Sequence, residues 1–158
     1  MHIIRDYQFI DPSDRGAAVA IGNFDGVHLG HQAVIDVVRK IADDNGSTLG
    51  ILTFEPHPRE YFAPDAPAFK LMSAEAKANR LEKLGVKHLY QLNFNAALSA
   101  LNAREFARDV IHEALGLTHV VVGADFCFGK DRKGTAQDLI AYGAEFGFGV
   151  TIAELIKD

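Results

Sequence analysis

Apolar residues fall along this chain in two alternating rhythms. Short continuous runs, rich in β-branched side chains, alternate with longer stretches in which apolar positions recur every three or four residues. The first run, Ala17-Ala18-Val19-Ala20-Ile21, stops at Gly22. Val34, Ile35, Val38, Ile41 and Ala42 then recur at helical spacing between Gly30 and Asp43, and Asn45-Gly46 closes that helix. Further strands are predicted at residues 48–54, 88–92, 119–122 and 150–155. Ser73, with Glu75 in the first turn, predicts a capped helix to residue 84. Asn102 with Glu105 spells a capping box, opening a helix with Phe106, Val110, Ile111 and Leu115 on its apolar face. A last helix is predicted over 136–146. Leu84-Gly85-Val86 and Leu115-Gly116-Leu117 are matching helix ends, each predicting a left-handed glycine followed by an apolar residue.

Strands alternating with helices across short connections predict an α/β fold: a parallel sheet of roughly five strands with helices on both faces. Such sheets bind ligands beyond the carboxyl ends of their strands, where the strand order reverses. Three segments with chemistry follow strands, at 22–31, 55–62 and 123–134. The second lies in a proline-rich stretch, with Pro56, Pro58, Pro64 and Pro67, which excludes regular structure and predicts an ordered loop over 55–69.

Length and charge narrow the function. A chain of 158 residues suits one domain. Its net charge of −5 is the wrong sign for a nucleic-acid binder. Cys127 is the single cysteine, so no internal disulfide forms, and a reducing cytoplasm is the expected setting. The first residues lack the basic and apolar regions of a signal peptide, and no apolar run reaches the roughly 18 residues that span a bilayer. No membrane partner is expected.

The first segment carries the densest signal. Gly22, Gly26 and Gly30 follow a strand and lead into a helix. Glycines let backbone approach a ligand closely, and a helix start offers unpaired amides and partial positive charge to a phosphate. His28 and His31 are three residues apart, on one side of the first turn, where two imidazoles suit a triphosphate. The spacing matches neither the P-loop nor the Gly-x-Gly-x-x-Gly of dinucleotide-binding dehydrogenases.

His28-Leu29-Gly30-His31 resembles the His-x-Gly-His signature of the nucleotidyltransferase superfamily, and the longer string from Gly22 is more specific. It resembles the N-terminal adenylyltransferase domain of prokaryotic bifunctional riboflavin kinase/FAD synthetases. Thr53-Phe54-Glu55-Pro56-His57-Pro58, the segment from Phe94 through Glu105-Phe106, and Val122-Gly123-Ala124-Asp125-Phe126-Cys127-Phe128-Gly129 are similar to later pieces of that family, in the same order. The resemblance spans nearly the whole chain and implies a Rossmann-like nucleotidyltransferase fold. It also implies a reaction: AMP passes from ATP to FMN, with Mg²⁺, giving FAD and pyrophosphate.

The resemblance implies His28 and His31 as catalytic residues. It implies Gly22, Asn23, Phe24, Asp25, Gly26, Gly30, Gly123 and Asp125 with those histidines at ATP, and Pro56, His57, Pro58, Phe62 and Phe128 at the flavin. Several of these have ordinary roles open beside the functional one. Phe24 leans toward packing. Asp25 stands between shaping a turn and placing Mg²⁺, so no metal ligand is assigned. Lys130, Arg132 and Lys133 stand between solvated surface and phosphate contact, and Cys127 occupies a position where the family often carries arginine. His88 and His119 are expected to be structural. The family pattern continues into Ile-Ser-Ser-Thr-x-Ile-Arg and then a riboflavin kinase domain. Neither occurs here, so residues 1–158 are expected to be an adenylyltransferase domain truncated at its C-terminal end, with a kinase domain in the full-length protein. Two alternatives remain: a different small-molecule nucleotidyltransferase, or an ATP- and flavin-binding fragment without turnover.

Overall fold

The computed structural model describes residues 1–22, 24, 29–56, 62 and 73–153, and the side chains of 29–31 lie outside that description. In chain order the elements are β1 (His2–Ile4), β2 (Ala18–Ile21), α1 (Leu29–Asn45), β3 (Leu49–Glu55), α2 (Ala74–Lys83) and β4 (His88–Asn93). Then come α3 (Ala96–Ser99), α4 (Ala103–Glu105) running into a π-helix (Phe106–Ala114), and β5 (His119–Gly123). A short β6 (Cys127–Phe128) and β7 (Gly134–Thr135) precede α5 (Ala136–Phe146) and β8 (Gly149–Ala153).

Six parallel strands form one sheet in the order β1-β4-β3-β2-β5-β8, and β6 and β7 make a separate antiparallel pair. The expected α/β architecture is therefore present, with one strand more than the apolar pattern indicated. The addition is β1, an edge strand whose His2 pairs in register with His88 and whose Ile4 pairs with Tyr90. Three residues, two of them exposed, carry too little periodicity to be recognised as a strand.

Every residue of β2 is buried, as the centre of a sheet covered on both faces requires. Strand alternation divides the core. Ala18, Ala20, Ile51, Leu89 and Val121 cluster with Val34, Ile35 and Val38 of α1 and Leu81 of α2. Val19, Ile21, Leu52, Tyr90, Val120 and Val122 cluster with Phe106, Val110 and Ile111 of the π-helix and Leu139 of α5.

The end signals act as their chemistry predicts. Ser73 Oγ accepts from Ala76 N, and Asn102 and Glu105 each accept from the other's backbone amide. Gly85 and Gly116 are left-handed, with φ of +92° and +56°. The helix opened by the Asn102–Glu105 box differs from expectation in its winding: Leu115 N bonds to Val110 O, five residues back. Phe106, Val110, Ile111 and Leu115 are spaced by steps of four and five, so a helix bonded at five-residue intervals keeps all four on one buried face.

The strand order also locates the site. From β2 the chain steps outward through β3 to β4, then returns to place β5 on the other side of β2. The reversal opens a crevice beyond the carboxyl ends of β2 and β5.

Candidate active site

At the same end of the sheet, a cavity of about 340 Å³ is walled by aromatic rings. Phe54 comes from the end of β3, and Phe94 follows β4, its amide bonded to the Glu55 carbonyl at 3.2 Å. Phe126 follows β5 in a turn closed by its own amide on the Gly123 carbonyl at 3.1 Å. Phe128 lies on β6, and Phe106 opens the π-helix.

The rings brace one another. Phe54 meets Phe94 edge to face at 5.8 Å and Phe106 at 6.1 Å. Phe128 lies 5.9 Å from Phe106 and stacks on Phe126 at 5.4 Å, with planes 15° apart. Leu98 and Gly129 complete the apolar lining, while Asp131 and Arg132 bring charge to one side. Flat apolar walls with charge at one edge suit a planar aromatic ligand carrying a polar tail.

The charged edge is a tight turn. Gly129, Asp131 and Arg132 all have positive φ, at 81°, 59° and 56°. Lys130 N bonds to the Leu101 carbonyl at 2.8 Å, and Arg132 Nη1 donates to the Cys127 carbonyl at 3.1 Å. The turn thus holds an exposed guanidinium beside the cavity.

Across the crevice, Gly22 closes β2, with its amide bonded to the Leu52 carbonyl at 3.1 Å, and Leu29, Gly30 and His31 form the first turn of α1. Gly123 ends β5, and Asp125 follows it, exposed. The expected ATP-side residues Gly22, Gly30, Gly123 and Asp125 therefore gather at the carboxyl ends of neighbouring strands. Asn23, Asp25, Gly26, His28, His57 and Pro58 lie outside the described residues, as does the His31 side chain.

Phe24 takes the packing role toward which it leans in the sequence. Its ring is 1% exposed and packs in the α1 core, so only its backbone remains for a ligand. On the flavin side, Phe62 and Phe128 both line the cavity, and Pro56 is half-buried just after β3. Phe54, Phe94, Phe106 and Phe126 were not singled out as walls in the sequence. Their common signal is position, since three of them stand at or just after the end of a strand.

Comparison with known proteins gives this arrangement a family. A family profile described as FAD synthetase matches residues 10–158. A bifunctional riboflavin kinase/FMN adenylyltransferase of Pseudomonas fluorescens is 39% identical over 158 residues, covering 99% of this chain and 50% of that protein. The protein of the same name from Bacillus subtilis is 37% identical over 140 residues, covering 88% of this chain and 44% of its own. The chain thus spans about half the length of the curated relatives it matches. A solved structure from Streptococcus pneumoniae, described as a macrolide-efflux protein, superposes with a TM-score of 0.77 at 29% identity, covering 96% of this chain and 49% of its own. Among the described residues no helix is long and apolar enough to cross a membrane. The family match over residues 10–158 and the extent of the relatives' similarity agree with the fold and its aromatic cavity: the chain belongs to the FAD synthetase family.

Proposed function

We propose that this chain is an FMN adenylyltransferase domain, working in FAD biosynthesis in the cytoplasm beside a riboflavin kinase domain of a longer protein. The observation that carries the reading is the aromatic cavity beside the switch-point crevice. An isoalloxazine ring fits between such walls, and its phosphate tail can then extend toward a nucleotide lying across β2 and β5.

In this reaction an oxygen of the FMN phosphate bonds to the α-phosphorus of ATP. The bond from that phosphorus to the β-phosphate bridging oxygen breaks, and pyrophosphate leaves. The nucleophile is already an anion, so the protein needs no base. Its work is alignment and stabilisation of charge gathering on the phosphates. His28 and His31, at the entry to α1, are the proposed stabilisers. Gly22, Asn23, Asp25, Gly26, Gly30, Gly123 and the Phe24 backbone shape the ATP side, with Asp125 on adenine or ribose. Pro56, His57, Pro58, Phe62 and Phe128 hold the flavin, and Arg132 is the proposed contact for its phosphate. Mg²⁺ would arrive with ATP and neutralise charge on the phosphates, and Asp25 is the carboxylate that could help place it. Nucleic acid is not a proposed partner.

The test offers ATP with FMN, phosphopantetheine or nicotinamide mononucleotide in turn and separates the products. FAD from FMN alone is expected. His31→Ala should fold normally and lose roughly 10²–10³-fold in rate, as for a lost oxyanion donor. Binding of ATP and FMN without FAD formation, or normal turnover by folded His31→Ala, would overturn the assignment.

A further inference from the structure

At the opposite end of the sheet, three side chains far apart in sequence converge. His2 opens β1, His88 opens β4, and the two are register partners in neighbouring parallel strands. Asp14 ends the short 3₁₀ turn Pro12–Asp14 and points its carboxylate between them. Its Oδ1 lies 2.9 Å from His2 Nδ1 and 3.1 Å from His88 Nε2. The three atoms all lie within 4.8 Å of one another.

We propose that His2, Asp14 and His88 bind one divalent transition-metal ion of the zinc class. Two imidazole nitrogens and one carboxylate oxygen are the donor set such ions take, with a remaining position for water. A tetrahedral ion with bonds of about 2.0–2.1 Å separates its ligand atoms by about 3.3 Å. Both nitrogen–carboxylate distances already approach that value, and a small turn of one ring brings the nitrogens together. His2 is the ring free to turn, its side chain 71% exposed against 14% for Asp14 and 10% for His88. It is also the side from which an ion would enter.

The supporting contacts are those a ligand set needs. His88 Nδ1 lies 2.9 Å from Thr48 Oγ1, which can accept its N–H and so leave Nε2 with a lone pair for the metal. Asp14 is anchored through its backbone: its amide donates to the Asp11 carbonyl at 2.8 Å, and its carbonyl accepts from the Tyr90 hydroxyl. The ion would fasten the edge strand and the turn after it to β4, well away from the nucleotide site.

The test uses the untagged full chain, stripped with chelator and free of nucleotide. Zn²⁺ alone is titrated by calorimetry, and Co²⁺ alone by visible absorption. One equivalent is expected to bind, with a higher Tm in zinc. His2→Ala, an exposed change that leaves the fold intact, should weaken binding at least about tenfold, as should Asp14→Asn. FAD formation by His2→Ala should equal that of the parent. Absence of saturable binding overturns the proposal. So does binding of unchanged affinity in His2→Ala, which would place the ion elsewhere, such as at the histidines entering α1.

Discussion

The ring of Phe62 meets the ring of Phe94 edge to face, with centroids 5.9 Å apart and planes 77° apart. Phe94 is braced from behind by Phe54, whereas Phe62 is 65% exposed at the cavity's mouth. An aromatic ring held at a mouth contributes to the ligand rather than to the core. Phe62→Ala should therefore raise the KM for FMN about tenfold, which corresponds to about 1.4 kcal/mol. The KM for ATP and the Tm should change little. Steady-state kinetics with each substrate varied in turn checks this, and an equal rise for both would remove Phe62 from the flavin side.

Gly129 holds the charged edge of the cavity against the start of α4. A Cβ there would fall 2.5 Å from Ala103 N and 2.7 Å from Ala103 Cα, and both are backbone atoms that cannot swing aside. Its φ of 81° with ψ of 178° adds a second penalty, about 1–3 kcal/mol for a residue with a side chain. Gly129→Ala should lower the Tm and also weaken FMN binding, because Asp131 and Arg132 sit in the turn it displaces. Fluorescence titration of FMN alongside thermal melting separates the two effects. Loss of stability with unchanged FMN affinity would free the turn from any part in the site.

Local chemistry was legible in the sequence, and convergence was not. Ser73, Asn102 with Glu105, and the glycines at 85 and 116 act within a few residues of themselves, so their spelling carries their structure. The strand-end positions of Gly22 and Gly123 followed from alternation alone, because a parallel sheet gathers strand ends. Phe54, Phe94 and Phe106 face one cavity only after three separate elements pack, and periodicity assigns such residues to the core. The π-helix was hidden because its apolar spacing also satisfies an ordinary helix. His2, Asp14 and His88 meet across 86 residues of chain, through an edge strand too short to see. Phe24, inside the functional string that starts at Gly22, leans toward packing in the sequence, and its ring is buried in the core.

His119 opens β5, with Nε2 2.7 Å from Thr151 Oγ1, and burial holds its pKa below the ordinary 6.5. The folded state therefore takes up this proton less readily than the unfolded chain. The stability is fully present above pH 6.5 and is lost as pH falls toward the lower folded value, because the unfolded state binds the proton first. His119→Gln keeps a polar contact to Thr151 and removes the titration. Its Tm should fall less steeply than the parent's as pH drops below 6.5. Parallel melting curves across that range check this, and identical slopes would show that His119 contributes nothing to acid sensitivity.

Tyr90 gives the opposite pH signature from the same region of the sheet. Its ring is fully buried and stacks on His88 at 5.9 Å, and its hydroxyl donates to the Asp14 carbonyl at 2.5 Å. Burial, with the Asp14 charge second, pushes the phenol well above its ordinary pKa of 10.0. The phenol thus remains a donor in the folded state at pH values where the unfolded chain has begun to ionise it. Above about pH 10 the unfolded state loses the proton first, so this contribution declines as pH rises. Tyr90→Phe preserves the ring and deletes only the donor, leaving the Asp14 carbonyl short of a partner. The expected cost at neutral pH is about 1–3 kcal/mol, a Tm several degrees lower. The variant should also lose less stability than the parent between neutral pH and pH values above about 10. FMN affinity should be unchanged, because the hydroxyl lies at the end of the sheet opposite the cavity. A shift in FMN affinity would mean that the two ends of the sheet are coupled through β4.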